Sequence, residues 1–332
     1  MGVSVRDVAR QAGVSVGTVS NVLNHPERVT PQTVERVQRV IAEIGFVRND
    51  AARQLRAGRS RSIGLVVLDI GNPFFAEVAR GAEDRAAQAG MTVLVGNSDE
   101  SSDRERLHLA LFREQRVNGV LVTPTTDNLS LLHGLLDSGV PVVLVDRQVE
   151  DGGFTSVAMD DVEGGRMATA HLLEIGRRRL AFVAGPQSIG QVADRLQGAR
   201  AAVNDVPGAS LEVVERSALS VLQGRLAGES LLERAPADRP DAVFAANDLL
   251  AVGLLQSFGV AGVRVPDDIA LVGYDDIDFA TATMVPLSSV RQPARMIGEA
   301  AVELLLGEIS GEPRGRAVRF QPELVVRQST AG

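Results

Sequence analysis

Residues 4–24 read SVRDVARQAGVSVGTVSNVLN, and that run constrains the chain more than any other. It has the pattern of two short amphipathic helices joined by a tight turn. Ser4 is an N-cap with Asp7 three residues on, a capping box. Val5, Val8, Ala9 and Ala12 then share one helical face. Gly13 permits the turn, and Ser15 caps a second helix whose Val19, Val22 and Leu23 face inward. Ser15, Val16, Gly17, Thr18, Ser20, Asn21 and Asn24 make a small, mostly polar outer surface. A narrow helix of this kind fits a DNA major groove, and phosphate oxygens accept from Ser, Thr, Asn and backbone N–H groups, Ser4 included. Val16, Ser20 and Asn21 are the base-reading candidates. A third helix follows: Thr30-Pro31 starts it, Val34, Val37, Ile41 and Ile44 stripe it, and Gly45 ends it.

Charge supports a DNA-binding head once it is divided by position. The 332 residues carry a net charge of −8. Residues 1–61, however, hold ten Arg and five acids, leaving the remainder at −13. Attraction for phosphate is thus confined to one end. There is no lysine and no cysteine, so every cation is a guanidinium and no disulfide or thiolate chemistry is available. The apolar runs are too short to span a bilayer, and charged residues occupy the place of a secretory h-region. A cytoplasmic protein without membrane contact is expected.

From Ile63 the pattern changes to alternating apolar strands and helices. Strands are predicted at 63–68, 92–95, 119–122 and 141–145, with helices near 74–89, 103–115 and 128–138. A second series has strands at 156–159, 180–183, 213–215, 242–245 and 269–272. Its helices lie near 162–175, 193–204, 221–233, 248–258 and 293–307. A last strand is placed at 322–327. Near-continuous apolar strands alternating with helices imply parallel sheets covered on both faces. Two such series imply two doubly wound lobes with a cleft beyond the strand ends.

The head, a basic linker and this body together resemble the LacI/GalR family of bacterial transcription regulators. The resemblance rests on VRDVARQAGVSVGTVSNVLN at 5–24, RNDAARQLRAGRS at 48–60, ANDLLAVG at 246–253, VPDDIALVGYDD at 265–276 and SSVRQP at 288–293. It implies an all-α helix-turn-helix head (1–46), a hinge (47–61) and a two-lobed periplasmic-binding-protein-like body (62–332). The N-lobe would span about 62–160 and 292–321, the C-lobe about 161–291 and 322–330. It also implies a homodimer on a near-palindromic operator. Paired hinge helices would insert Leu55 into the minor groove, an apolar wedge that kinks the duplex. Ala52 would allow close approach, and Asn49, Arg53 and Arg56 would contact DNA. Arg48 stands where the family commonly has proline, and Asn21 where it often has arginine.

The strand ends carry Asn72, Phe74 and Phe75, then Asp146 and Arg147, in the first lobe, and Arg195, Asn247 and Asp275 in the second. Gln292 lies at a crossover. Such groups suit a sugar: hydroxyls both donate and accept, and C–H faces stack on aromatics. By motif, all nine match ribose-contacting positions of periplasmic pentose-binding proteins, with Leu219 where those have an aromatic. Asp146 and Asp275 are expected to accept from hydroxyls, with Arg147 and Arg195 balancing their charge. Asp248 reads as the N-terminal acid of a helix. The function implied is repression of a sugar-utilisation operon, controlled by a pentose such as ribose. A family regulator controlled by a phosphorylated carrier protein or another metabolite stays open. A sugar sensor without a DNA role is opposed by residues 1–61. No nucleotide, hydrolase or metalloprotease motif is present and the four histidines are scattered, so neither enzyme nor cofactor is expected.

Overall fold

A computed structural model describes residues 3–46, 60–126, 129–147 and 153–331. The chain divides into two compact units, 1–59 and 60–332.

In the first unit, α1 (Val5–Ala12), α2 (Val16–Asn24) and α3 (Pro31–Ile44) surround a small core of Val8, Ala9, Ala12, Val19, Val22, Val37 and Val40. The Asp7 carboxylate accepts from the Ser4 backbone N–H at 3.0 Å and from its hydroxyl at 2.6 Å. Gly13 turns the chain at φ 65°, a region that a β-carbon makes costly. Ser15 Oγ then accepts the Thr18 N–H at 3.0 Å and starts α2. The core stripe of α3 is centred on Val37 and Val40, with Val34, Ile41 and Ile44 only half-buried.

The second unit begins β1 (Ser62–Val67), α4 (Pro73–Gln88), β2 (Thr92–Asn97), α5 (Ser102–Glu114), β3 (Val120–Val122), α6 (Ser130–Asp137), β4 (Val142–Val145), β5 (Thr155–Met159). It continues α7 (Asp161–Glu174), β6 (Arg179–Ala184), α8 (Gly190–Asn204), β7 (Ser210–Glu215), α9 (Val221–Leu232), β8 (Ala242–Ala245), α10 (Asp248–Val260), β9 (Ala270–Asp275). It ends α11 (Phe279–Ala282), β10 (Ser288–Arg291), α12 (Ala294–Ile309), β11 (Ala317–Phe320), β12 (Glu323–Val325). Two six-stranded sheets result, ordered β2-β1-β3-β4-β5-β11 and β7-β6-β8-β9-β10-β12. The same winding is therefore used twice, and the chain passes between the sheets after β5, β10 and β11.

Four features differ from what the apolar pattern implies. Strand 155–159, which its apolar pattern groups with the second series, pairs with β4 in the first sheet, as the family resemblance implied. Strands β10 and β11 were not expected. The second sheet is not wholly parallel, because β12 runs antiparallel to β10. Strand β7 starts at Ser210, because an edge strand open on one side alternates polar and apolar residues instead of forming an apolar run.

Helices cross on paired glycines. A β-carbon on Gly165 of α7 would overlap the Arg195 carbonyl of α8, and one on Gly198 of α8 would overlap that of Val162. Gly81 and Gly298 do the same for α4 and α12, and Gly224 and Gly253 for α9 and α10. These contacts fix where α8 lies, and α8 carries Arg195 to the strand ends.

Candidate functional site

On the head, Ser4, Ser15, Val16, Gly17, Ser20, Asn21 and Asn24 are all exposed, and Thr18 is half-exposed. Val16, an apolar residue, is 44% exposed at the first position of α2, where a groove-reading helix meets base edges. Asn24 turns back along the helix, donating to the Ser20 carbonyl at 2.8 Å. Asn49, Ala52, Arg53, Leu55 and Arg56 lie outside the described residues.

In the body, β1 leads into Asn72, whose side-chain oxygen caps α4 by accepting the Phe74 N–H at 3.0 Å. Its amide nitrogen reaches across the cleft and donates to Asp275 Oδ2 at 3.0 Å. Phe74 and Phe75 follow in the first turn of α4, their rings edge to face with centroids 4.9 Å apart. Both are buried, and both line the cleft.

Asp146 directly follows β4 and Asp275 ends β9, corresponding places in the two sheets. Both adopt positive φ, 55° and 104°, which turns each carboxylate off its strand and into the cleft. Such conformations are uncommon for a residue with a β-carbon and concentrate at functional sites. Each takes an amide donor from the opposite lobe. Asp275 takes Asn72; Asp146 takes Gln191 of α8, which donates to its carbonyl at 2.5 Å and to its Oδ2 at 3.2 Å. Gln292, at the crossover after β10, donates to Asp275 Oδ1 at 2.8 Å. Burial pushes both aspartic acids above the usual carboxylate range; for Asp146 the nearby Asp161 charge adds to it.

The charge of Arg195 opposes the rise in both carboxyls, as expected, but its hydrogen bonds go elsewhere. Arg195 donates to Asp161 Oδ1 at 2.7 Å and to the Ala246 carbonyl at 2.7 Å, and its guanidinium lies 3.7 Å over the Tyr274 ring. Burial works against its charge, but the surrounding acids, Asp161 foremost, hold its pKa above the ordinary value. Arg147 donates to Asp194 of α8 at 2.7 Å, a contact between the lobes. Asp161 opens α7 and Asp194 lies in the second turn of α8, and each meets a guanidinium at 2.7 Å. Asp248 is the acid in the first turn of α10, as expected, and does more besides. It is fully buried, accepting from the Ser289 hydroxyl at 2.7 Å and the Ile277 N–H at 2.9 Å, and so fixes the turn after Asp275.

Asn247 caps α10 through the Leu250 N–H at 3.0 Å and donates to the Leu219 carbonyl at 3.2 Å. Asn72, Phe74, Phe75, Asp146, Arg195, Asn247 and Asp275 surround one narrow cavity of about 20 Å³. Arg147 and Gln292 stand behind it. Gln191, Leu68, Ile189 and Val192 line it as well and were not anticipated. Gln191 had a signal in the sequence: it precedes Arg195 by four residues, hence on the same helical face. The surround offers carboxylate and amide acceptors, guanidinium and amide donors, and two aromatic rings.

Residues 4–49 match the family described as bacterial regulatory proteins, lacI family, and residues 169–330 match a periplasmic binding protein-like domain. The chain is 33% identical over 333 residues to the HTH-type transcriptional repressor PurR of Photobacterium profundum, covering 98% of each chain. It is 34% identical over 327 residues to the ribose operon repressor of Bacillus subtilis, again covering 98% of each. Among solved structures, the Lac repressor dimer bound to operator and the anti-inducer ONPF aligns over the whole of both chains, with TM-score 0.85 and 27% identity. A LacI family transcriptional regulator from Enterococcus faecium with bound ribose aligns with TM-score 0.73 and 30% identity, covering 81% of this chain and 98% of that one.

Proposed function

Because the chain belongs to the LacI family of bacterial regulatory proteins, we propose that it represses a sugar-utilisation operon and that a pentose, ribose first, is its effector. It is a DNA-binding transcription regulator; its relatives are repressors rather than enzymes. No helix among the described residues is long and apolar enough to cross a membrane. It works in the cytoplasm, as a homodimer on a near-palindromic operator, since two recognition helices related by a two-fold axis read two half-sites. Residues 1–46 are the head, 47–61 the hinge and 62–332 the effector-binding body. Val16, Ser20 and Asn21 read bases, and Leu55 is the hinge wedge.

The observation that carries the effector assignment is the convergence of seven residues, from strand ends and the helices beside them, on one cavity. Asp146 and Asp275 accept from sugar hydroxyls, while Asn72, Asn247 and Arg195 donate. Phe74 and Phe75 take a C–H face of the ring. The lining carries Asp146 and Asp275 against Arg195, itself paired with Asp161, a surplus of negative charge that favours an uncharged sugar over a phosphate ester. The names of two relatives, a ribose operon repressor and a ribose-bound regulator, support the same reading. A sugar that binds one lobe arrangement better than the other shifts operator affinity by that difference.

The test is a thermal-shift screen of pentoses, hexoses, their phosphates and nucleosides, followed by operator titration with each compound that stabilises the protein. Ribose should raise the melting temperature and change operator affinity. Stabilisation by a phosphorylated sugar or nucleoside with none by ribose would overturn the assignment.

A further inference from the structure

Beyond the strand-end residues, the N-lobe sends a carboxylate across the cleft at Glu100. The segment after β2 holds Asp99 and Glu100 at φ 53° and 56°, two successive left-handed residues. This sharp turn is anchored by the Glu100 N–H, which donates to the Leu68 carbonyl at 3.1 Å. Arg104 pairs with Asp99 at 2.6 Å and holds the turn from outside. Glu100 is thereby aimed at the C-lobe, where its Oε1 accepts the Leu219 N–H at 3.2 Å. Leu68 and Leu219 are opposing walls of the cavity, one from each lobe. A single residue therefore bonds to both walls, by its backbone on one side and its side chain on the other.

The second carboxylate oxygen, Oε2, is shielded from solvent and has no hydrogen-bond partner among the described residues. Burial first, then the charges of Asp69 and Asp99, push the Glu100 carboxyl above its ordinary value. Leu219 itself packs over Gly185, leaving no room for a β-carbon there. The wall at this end of the cavity is thus set by the Leu219 backbone and side chain, and Glu100 fixes the backbone.

We propose that Glu100 is a positioning residue of the effector site. It latches the Leu219 wall to the N-lobe through Oε1 and makes the closed cleft last, so that bound sugar leaves more slowly. The latch stands on the geometry alone; only its effect on sugar release rests on the ribose reading above.

The experiment compares the full chain with Glu100→Gln, which keeps an acceptor oxygen, and Glu100→Ala, which removes it. Amide hydrogen exchange at Leu219 reads the latch without any ligand, and calorimetry with ribose reads its consequence. Losing a hydrogen bond to a charged acceptor corresponds to about a tenfold change or more. Leu219 should exchange about tenfold faster in Glu100→Ala and near the parent rate in Glu100→Gln. The ribose Kd should rise several-fold in Glu100→Ala, mostly through a faster off-rate, and much less in Glu100→Gln. Equal exchange at Leu219 in all three proteins overturns the latch. Faster exchange with unchanged ribose affinity overturns its role in sugar release. Faster exchange in Glu100→Ala, with no ribose heat even in the parent protein, keeps the latch and removes the ribose reading instead.

Discussion

Asp275→Asn is the substitution that most directly tests how the cleft holds a sugar. Asn tolerates positive φ better than most side chains, so the strained backbone at 104° is kept. What changes is acceptor count. The carboxylate gives one oxygen to Asn72 at 3.0 Å and the other to Gln292 at 2.8 Å, with lone pairs left over for sugar hydroxyls. An amide supplies one oxygen and turns an N–H₂ toward one of those donors. A sugar hydroxyl buried without that acceptor costs about 1–3 kcal/mol, a ten- to hundredfold loss of ribose affinity near the middle of that range. The sugar-free protein gains something back, since burial already disfavours the charged form of Asp275. Its unliganded stability should stay within about 1 kcal/mol of the parent. Differential scanning fluorimetry then separates binding from folding. At a ribose concentration of about 100 times the parent Kd, the parent gains about 2.7 kcal/mol and a hundredfold weaker variant about 0.4 kcal/mol. For a body of this size that is a shift of about 5 °C against one near 1 °C. A variant with parental unliganded melting and the full parental ribose shift would refute the assignment of Asp275 as a sugar acceptor.

Other consequences can be checked independently. Gly198→Ala drives a methyl group into the Val162 carbonyl of α7, so denaturant melts should show a loss of more than about 2 kcal/mol, whereas Gly134→Ala, with open space around it, should not. His171, whose ring nitrogen lies 2.8 Å from the Thr330 hydroxyl, has its pKa lowered by burial. The unfolded chain therefore takes up this proton first, and stability should be complete above about pH 6.5 and decline as pH falls below it; His171→Gln should flatten that slope in urea melts across pH 5–8. Leu55→Ala should weaken operator binding far more than binding to random duplex, because only the kinked complex uses the wedge; equal losses in a fluorescence-anisotropy titration would contradict the family's role for that residue.

Much of the molecule was legible in the chain because the deciding forces are local. Ser4 with Asp7, Gly13, Ser15 and Gly45 cap and break helices within one turn of themselves, so the head could be drawn before its core was seen. Val16, Ser20 and Asn21 follow from helical periodicity alone. The strand–helix alternation after Ile63, and the placing of Asn72, Asp146, Asn247 and Asp275 at strand ends, follow from apolar runs that stop at polar residues. Tertiary structure decided which group satisfies which. Asn72 meets Asp275 across 203 residues of chain, and Gln191 meets Asp146 across 45. Arg195 finds Asp161 because glycine contacts bring α7 and α8 together, not because either residue announces a partner. Strand β5 joins the first sheet, and β12 turns antiparallel, through pairings with segments distant in sequence. Periodicity states which side of an element is apolar; a buried carboxylate's choice of donor is settled only when two lobes, each built from separate stretches of the chain, exclude water between them.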